Sequence, residues 1–161
     1  MKIARGLAVV ALIATASAAT AQLKPSSPAD PPLPSSPVEA KKAEAQAAKE
    51  LAARLAAEKW LAILDAGDYG KAWDQSARRF RESVTRQQWL DGLPKTRGAL
   101  GAPKSRRAEV ASYKSSLAGM PDGDYVTVRF ATAFEKKDEA QEAVTLVYED
   151  GAWRPLGYLI G

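Results

Sequence analysis

The chain has 161 residues, of which 46% are hydrophobic and 26% charged, a formal net charge of +4, and neither cysteine nor histidine. This is the composition of an ordinary globular protein with room for one domain. The lack of cysteine excludes disulfides, thiol nucleophiles and thiolate zinc sites, and the lack of histidine excludes serine–histidine triads and imidazole metal ligands. Any chemistry is left to carboxylates, lysines, tyrosines and hydroxyls.

The first 21 residues have the form of a secretory signal peptide. Lys2 and Arg5 precede an apolar run over residues 7–16, and the Ala-Thr-Ala triplet at 19–21 suits signal peptidase. Because the apolar run is shorter than the roughly 20 residues that span a bilayer, we predict cleavage after Ala21 rather than a membrane anchor. We therefore expect a periplasmic or secreted protein with no integral membrane segment after cleavage.

The charge is unevenly distributed. Without Lys2 and Arg5 there remain 21 cationic and 19 anionic side chains, so net charge favours no class of partner. Residues 78–107 nevertheless hold nine Lys or Arg against two acids, which is either a solvated helix surface or a basic face for acidic lipid, cell-wall polymer or protein. No nucleic-acid recognition motif accompanies this charge, so we expect no nucleic-acid partner. The candidate basic residues are Arg78, Arg79, Arg81, Arg86, Arg97, Arg106 and Arg107.

Residues 22–37 are predicted to form an extended spacer, because residues 24–37 contain six prolines among serines and offer no apolar face to bury. A helix is then expected to begin with Ser36 as N-cap, Pro37 at N1 and Glu39 at N3 in a capping box. Its sequence contains neither Gly nor a further Pro until Gly67, which suits the C′ position. We predict an Ala-rich helical extension over 38–58 and an α+β domain over 59–161.

This long helix carries two apolar stripes on different faces. The stripe expected to pack on the domain is Ala53, Ala57, Trp60, Ile63 and Leu64. The other stripe is Ala43, Ala47, Leu51 and Leu55. The second stripe is either part of a tether or a surface for a partner helix or self-association.

Two more helices are predicted. Asp68 can cap a core-facing helix that continues to about Val84. Thr85 and Gln88 form a capping box for the next helix, with Val84 and Trp89 as a hydrophobic staple, and Pro94 is expected to end or kink it.

The period then changes from helical to alternating, which indicates strands. The predicted strands cover residues 104–115, 125–134, 143–149 and 153–160. Asp150-Gly151 is a two-residue hairpin signal between the last two. Helices followed by four antiparallel strands constitute an α+β fold.

Six blocks in this order resemble a bacterial family known as domain of unknown function 4019. They are WLAILDAGDY (60–69), AW (72–73), QW (88–89), RGALG (97–101), PDGDY (121–125) and GAWRPLGY (151–158). The resemblance covers about residues 57–161. It implies helices packed on a curved four-stranded antiparallel sheet, similar to the cystatin-like or nuclear-transport-factor-2-like cone. It implies no activity and no catalytic residues, and folds of this kind host both enzymes and binding modules.

Carboxylates and tyrosines are the remaining candidates for catalysis. An aspartate such as Asp65 or Asp74 in an apolar pocket, beside a tyrosine, could transfer protons as in ketosteroid-isomerase-like enzymes. However, Asp65 and Asp68 flank Gly67, where turn and capping roles explain them, and Asp74 can lie on a solvated face. We therefore assign no catalytic residue and favour a protein that is not an enzyme.

Aromatic side chains could instead line a binding pocket, although the four tryptophans fall on predicted core positions. The candidate ligand-binding residues are Tyr69, Trp73, Tyr113, Tyr125, Tyr148 and Tyr158. The acids at 122–124 and 138–139 lack the ligand series of a calcium loop and are read as turns, and the glycines at 98–101 lack the rest of a phosphate loop. No metal or cofactor is expected.

The leading hypothesis is a secreted or periplasmic non-enzymatic module that binds a small apolar ligand in its cone or a protein partner. The alternatives are self-association or interaction through the long helix, and a carboxylate- and tyrosine-dependent enzyme. The enzyme alternative requires a buried carboxylate within hydrogen-bond distance of a tyrosine.

Overall fold

The computed structural model describes residues 36–161, so the predicted signal peptide and most of the predicted spacer lie outside the described residues. The helices are α1 (Pro37–Asp65), α2 (Tyr69–Asp74), α3 (Arg78–Ser83) and α4 (Arg86–Leu100). The strands are β1 (Pro103–Lys114), β2 (Tyr125–Phe134), β3 (Lys137–Glu149) and β4 (Ala152–Ile160). The helices pack on one sheet, which confirms the predicted α+β fold. In this part of the chain no helix is both long and apolar enough to span a bilayer.

The sheet is an antiparallel meander in the order β1-β2-β3-β4. Asp150 and Gly151 both have positive φ, 50° and 77°, as a two-residue hairpin turn between β3 and β4 requires. The inward-facing positions alternate along β2 and β3, where Val128 lies opposite Val144 and Val126 opposite Leu146. This face therefore supplies the sheet side of the core.

Helix α1 begins as its sequence indicates. Ser36 Oγ accepts a hydrogen bond from the Glu39 backbone N–H at 3.2 Å, which satisfies one free donor of the first turn. Its C-terminal half packs on the sheet through a buried stripe of Ala53, Ala57, Trp60, Leu61 and Leu64. Within residues 36–161 the second apolar stripe is not buried in this way, since Leu51 and Leu55 are 51% and 44% exposed.

The predicted helix after Asp68 is interrupted. It is divided into α2 and α3 because residues 75–77 leave the helical path to meet strand β4. The Ala77 backbone N–H donates to the Pro155 carbonyl at 2.7 Å, and Ser76 is buried with Oγ donating to the Ala72 carbonyl at 2.9 Å. The tertiary hydrogen bond from Ala77 to Pro155 thus overrides a segment whose local pattern is helical.

Helix α4 has the predicted capping box, with Thr85 Oγ1 accepting from Gln88 N–H and the Gln88 side chain accepting from Thr85 N–H. Of the two outcomes expected at Pro94, the helix does not take the first: it does not end there but continues to Leu100. Leu93 and Arg97, on either side of the proline, are both buried, so tertiary contacts hold the helix across the missing hydrogen bond.

Candidate functional site

A cluster of charged and hydroxyl side chains lies beside the core. Glu142 on β3 follows the inward-facing alternation of Ala140 and Val144 and is fully buried. Glu142 thus brings an ionisable group into an apolar layer, where charge is costly unless it is paired. The inner cluster, as we name it, comprises Asp65, Arg97, Arg106, Thr132, Glu142 and Tyr158.

Both carboxylate oxygens of Glu142 are fully used. Oε1 accepts from Tyr158 Oη at 2.6 Å and from Arg97 Nη1 at 3.2 Å. Oε2 accepts from Arg106 Nε and from Thr132 Oγ1, each at 2.6 Å. Four donors from four elements converge on one carboxylate, so the cluster joins α4 to β1, β2 and β4.

Asp65, at the end of α1, balances the second positive charge of the cluster. Its carboxylate forms ion pairs with Arg97 and with Arg106, the latter at 2.7 Å between Oδ2 and Nη1. The side chains of Asp65, Arg97 and Arg106 are 22%, 4% and 15% exposed. Asp65 therefore connects the end of α1 to the sheet. The sequence predicts only a turn role for this residue.

The surroundings of the inner cluster shift two pKa values. Burial raises the pKa of the Tyr158 hydroxyl above its usual range, and the negative charge of Glu142 raises it further. Burial alone would lower the pKa of Arg106, but its bonds to Asp65 and Glu142 raise that pKa instead. Tyr158 is therefore kept as a neutral donor and Arg106 as a cation.

A second, more exposed cluster fastens the middle of α1 to the sheet. Tyr113 Oη donates to Asp124 Oδ1 at 2.6 Å, and Lys49 Nζ donates to the same oxygen at 2.7 Å. We name Lys49, Tyr113 and Asp124 the outer cluster. The hydrogen bond from Lys49 lowers the pKa of Asp124, and the same bond raises that of Lys49.

Beside the outer cluster lies an open depression of about 370 Å³ between α1 and the β3–β4 hairpin. Ala48 and Ala52 form its helix side, and Tyr148 and Trp153 form its hairpin side. The two aromatic rings meet edge to face with centroids 5.4 Å apart, and Tyr148 is 48% exposed. Lys49 and Asp124 of the outer cluster also line it.

A second open depression, of about 260 Å³, adjoins the first at Trp153. Ala56, Lys59 and Arg154 are among its lining residues, with Gln75 on its α2 side. Within the described residues Lys59 and Arg154 form no ion pair. Because both depressions border α1 and share Trp153 in their linings, we treat them as one surface and name it the α1 groove.

The six predicted ligand-binding aromatics do not meet in one cavity. Tyr113 lies in the outer cluster, Tyr158 in the inner cluster and Tyr148 in the α1 groove. Tyr125 is 4% exposed with its hydroxyl donating to the Pro121 carbonyl. Trp73 is partly buried with Nε1 donating to the Val84 carbonyl, and Tyr69 is partly buried against the core.

The seven predicted basic residues do not form one face either. Arg97 and Arg106 are in the inner cluster. The remaining five contact separate groups: Arg78 pairs with Asp150, Arg86 with Asp74 and Arg107 with Glu109, while Arg79 donates to the Gly119 carbonyl and Arg81 lies over the Trp73 ring. The described residues contain no group of three acidic, histidine or cysteine side chains placed to hold a metal ion.

The sequence did not predict the buried position of Glu142. It also did not predict that Arg97 and Arg106 each form ion pairs with Asp65 and Glu142. The signal was present in the register, because Glu142 is in phase with Val144 and Leu146 and Arg97 is four residues after Leu93. The predicted strand began at residue 143 and so excluded the glutamate, whereas β3 begins at Lys137.

A family model described as protein of unknown function (DUF4019) matches residues 56–158. The chain belongs to this family. The match confirms the resemblance seen in the sequence, and it spans the whole inner cluster together with Tyr148 and Trp153. Ala48, Lys49 and Ala52 precede the matched region. No curated protein matches the chain.

Proposed function

We propose that this chain is a non-enzymatic, extracytoplasmic module that binds a protein partner in the α1 groove. The observation that carries the proposal is the open pair of depressions beside Tyr148 and Trp153. Tyr148 is exposed there and Trp153 is partly buried, and aromatic side chains accessible at a concave surface are typical anchoring positions of protein interfaces. The extracytoplasmic location rests on the signal-peptide pattern of residues 1–21.

A surface site is favoured over a small apolar ligand inside the cone by the way the core is filled. Trp60 is 2% exposed and packs edge to face on Tyr158, with ring centroids 5.5 Å apart. Phe130 and Leu61 are fully buried in the same cluster of apolar side chains. Side chains of this size fill space between the helices and the sheet that a ligand in the cone would need. The depression of about 180 Å³ that borders Phe130 is open and is also lined by the charged residues Glu58 and Arg106.

A role without catalysis is favoured by the saturation of Glu142. The pair of Glu142 and Tyr158 has the carboxylate–tyrosine distance that the enzyme alternative requires. A general base, however, needs a lone pair directed at its substrate. The four donors around Glu142 already occupy both of its oxygens, and Asp74 is exposed beside Arg86.

Photo-crosslinking in the native host tests the proposed function. A benzoylphenylalanine placed at exposed Gln75, on the edge of the α1 groove, should give a crosslink to one protein in the extracytoplasmic fraction. The Ala52→Phe substitution fills the groove from α1 and should abolish that adduct. Ala62→Phe, also at an exposed alanine of α1 but outside the groove, should not. The purified partner should then bind the wild-type chain and not the Ala52→Phe variant.

Two results would contradict the proposal. An adduct that forms equally well from exposed Gln87 on α4 would show that the groove is not selective. An adduct that survives Ala52→Phe would show that the partner binds elsewhere.

Self-association through α1 is a second candidate, favoured by the exposure of Leu51 and Leu55. Light scattering of the chain and of a Leu51→Glu/Leu55→Glu variant tests it. A dimer that becomes a monomer on substitution supports this function, and a wild-type monomer over the accessible concentration range removes it.

A further inference from the structure

We propose that the α1 groove takes an extended peptide segment that carries apolar side chains and an acidic residue. This inference rests on the proposed function and specifies the chemistry of the partner. It follows from the shape of the groove, from the small residues of α1 and from two cations, Lys59 and Arg154, that form no ion pair within residues 36–161.

The shape of the groove suits an extended chain. Ala48 and Lys59, at its two ends, are 11 residues apart on α1, which is about 16 Å at 1.5 Å per residue. About five residues of extended peptide cover that length. The two depressions, of about 370 and 260 Å³, share Trp153 as a lining residue and follow one another along α1, from Ala48 and Ala52 to Ala56 and Lys59. Alternate side chains of an extended segment, about 7 Å apart, can therefore enter one depression each.

Small residues create the depth of the groove on its helix side. Ala48, Ala52 and Ala56 recur at four-residue intervals on α1, and each lines one of the depressions. A side chain that ends at Cβ leaves room opposite Tyr148 and Trp153, whose rings provide flat apolar surface. This wall of the groove is therefore fitted to apolar or aromatic side chains of a partner.

Charge distinguishes the two ends of the groove. At the first end the positive charge of Lys49 is paired with Asp124. At the other end Lys59 and Arg154 line the depression without an ion pair within the described residues. A carboxylate entering there would form charge-assisted hydrogen bonds with groups that are otherwise solvated. This complementarity favours a segment with an acidic residue and places that residue at the Lys59 end of the groove.

The experiment is a selection from a random peptide library of about 12 residues displayed on phage, using the purified chain as bait. Peptides that bind wild type are counter-selected against Ala52→Phe, and Ala62→Phe is the matched control. We expect the enriched peptides to carry Asp or Glu beside an apolar residue. Synthetic copies should bind Ala52→Phe about tenfold or more weakly than wild type and bind Ala62→Phe as well as wild type. Circular dichroism checks that each variant is folded.

Charge reversal tests the acidic residue. The Lys59→Glu/Arg154→Glu variant should weaken binding of the same peptides by about tenfold or more and should select lysine- or arginine-containing peptides instead. Lys41→Glu/Lys42→Glu, at exposed positions near the start of α1, is the control and should leave binding unchanged.

Three outcomes would overturn the inference: enriched peptides without acids, peptides that bind Ala52→Phe normally, or no enrichment at all. If any of these occurs while the Gln75 crosslink still depends on an open groove, the proposed function stands and only the extended acidic segment is wrong. If the crosslink also fails, the proposed function is wrong as well.

Discussion

Two clusters in this molecule share the same set of groups. In each, a tyrosine hydroxyl donates to a carboxylate at 2.6 Å, and a cation binds the same carboxylate. In the inner cluster the carboxylate is Glu142 and the cations are Arg97 and Arg106. In the outer cluster the carboxylate is Asp124 and the cation is Lys49.

The clusters differ in burial and in the number of donors. The Glu142 side chain is 0% exposed, whereas that of Asp124 is 31% exposed with Lys49 at 39%. Water solvates the outer groups in the folded and the unfolded state alike, so their pairing changes stability little. The inner groups lose their hydration on folding and depend on one another for compensation. Hydrogen bonds of equal length in the two clusters therefore contribute unequally to the free energy of unfolding.

The largest expected effect comes from neutralising the inner carboxylate. Glu142→Gln keeps the volume but leaves buried Arg97 and partly buried Arg106 with Asp65 alone, and its amide group directs a donor toward other donors. We expect the free energy of unfolding to fall by about 3–5 kcal/mol, measured by urea denaturation. The control, Asp150→Asn, removes an ion pair with Arg78 that is 65–66% exposed and should change stability by less than about 1 kcal/mol. Similar losses in the two variants would contradict the importance of burial.

A double-mutant cycle between Arg97 and Glu142 sharpens the same point. Each single substitution, Arg97→Met or Glu142→Gln, leaves an uncompensated group, whereas the double variant removes both sides of the pair. We expect the double variant to lose about 1–3 kcal/mol less stability than the two single losses together. The corresponding cycle with Arg78→Met and Asp150→Asn should be additive. An additive inner cycle would mean that the two side chains act independently.

The next effect concerns the inner tyrosine. Tyr158→Phe removes the donor at 2.6 Å from Glu142 and the acceptor at 2.8 Å from Arg97, so we expect a loss of about 1–3 kcal/mol near pH 7. The folded-state pKa of Tyr158 is raised above its usual value, near 10 in the unfolded chain. Its contribution is therefore fully present below about pH 10 and is lost as the pH rises further.

Urea denaturation at intervals from about pH 8 to pH 11 measures this pH dependence of the Tyr158 contribution to stability. The wild type should lose stability more steeply above pH 10 than Tyr158→Phe does, because the substituted side chain has no proton to release. If the free energy of unfolding falls with pH equally steeply in both proteins, Tyr158 does not contribute to the loss of stability at alkaline pH.

The sequence predicted most of the fold because its signals are local. The Ser36 cap, the Thr85 capping box, the 125–134 strand and the Asp150-Gly151 turn each depend on neighbours within a few residues. The division between α2 and α3 was missed because its cause is the hydrogen bond from Ala77 to Pro155. A local sequence pattern cannot indicate a hydrogen-bond partner that is 78 residues away.

The inner cluster could not be predicted from the sequence for a related reason. Local charge predicts a surface position for Arg97 and Arg106, and the nearby Gly67 predicts a turn role for Asp65. Only the folded chain brings these residues to Glu142, 45 and 36 residues away from the two arginines. The α1 groove could not be predicted from the sequence either. The local pattern places Ala52 in a helix and Trp153 in the core, and nothing in it brings the two together.

The smallest expected effect is in the outer cluster, and it is the sharpest test of the comparison. Asp124→Asn should cost less than about 1 kcal/mol near pH 7, because the carboxylate is partly solvated. Since the bond from Lys49 lowers the folded-state pKa of Asp124, its contribution is present above the unfolded value near 3.9 and is lost as the pH falls through the folded value. Urea denaturation from about pH 6 to pH 2.5 should therefore show a shallower acid loss for Asp124→Asn than for wild type. If Asp124→Asn instead costs as much as Glu142→Gln at pH 7, the shared geometry of the two clusters, and not their burial, sets their energy.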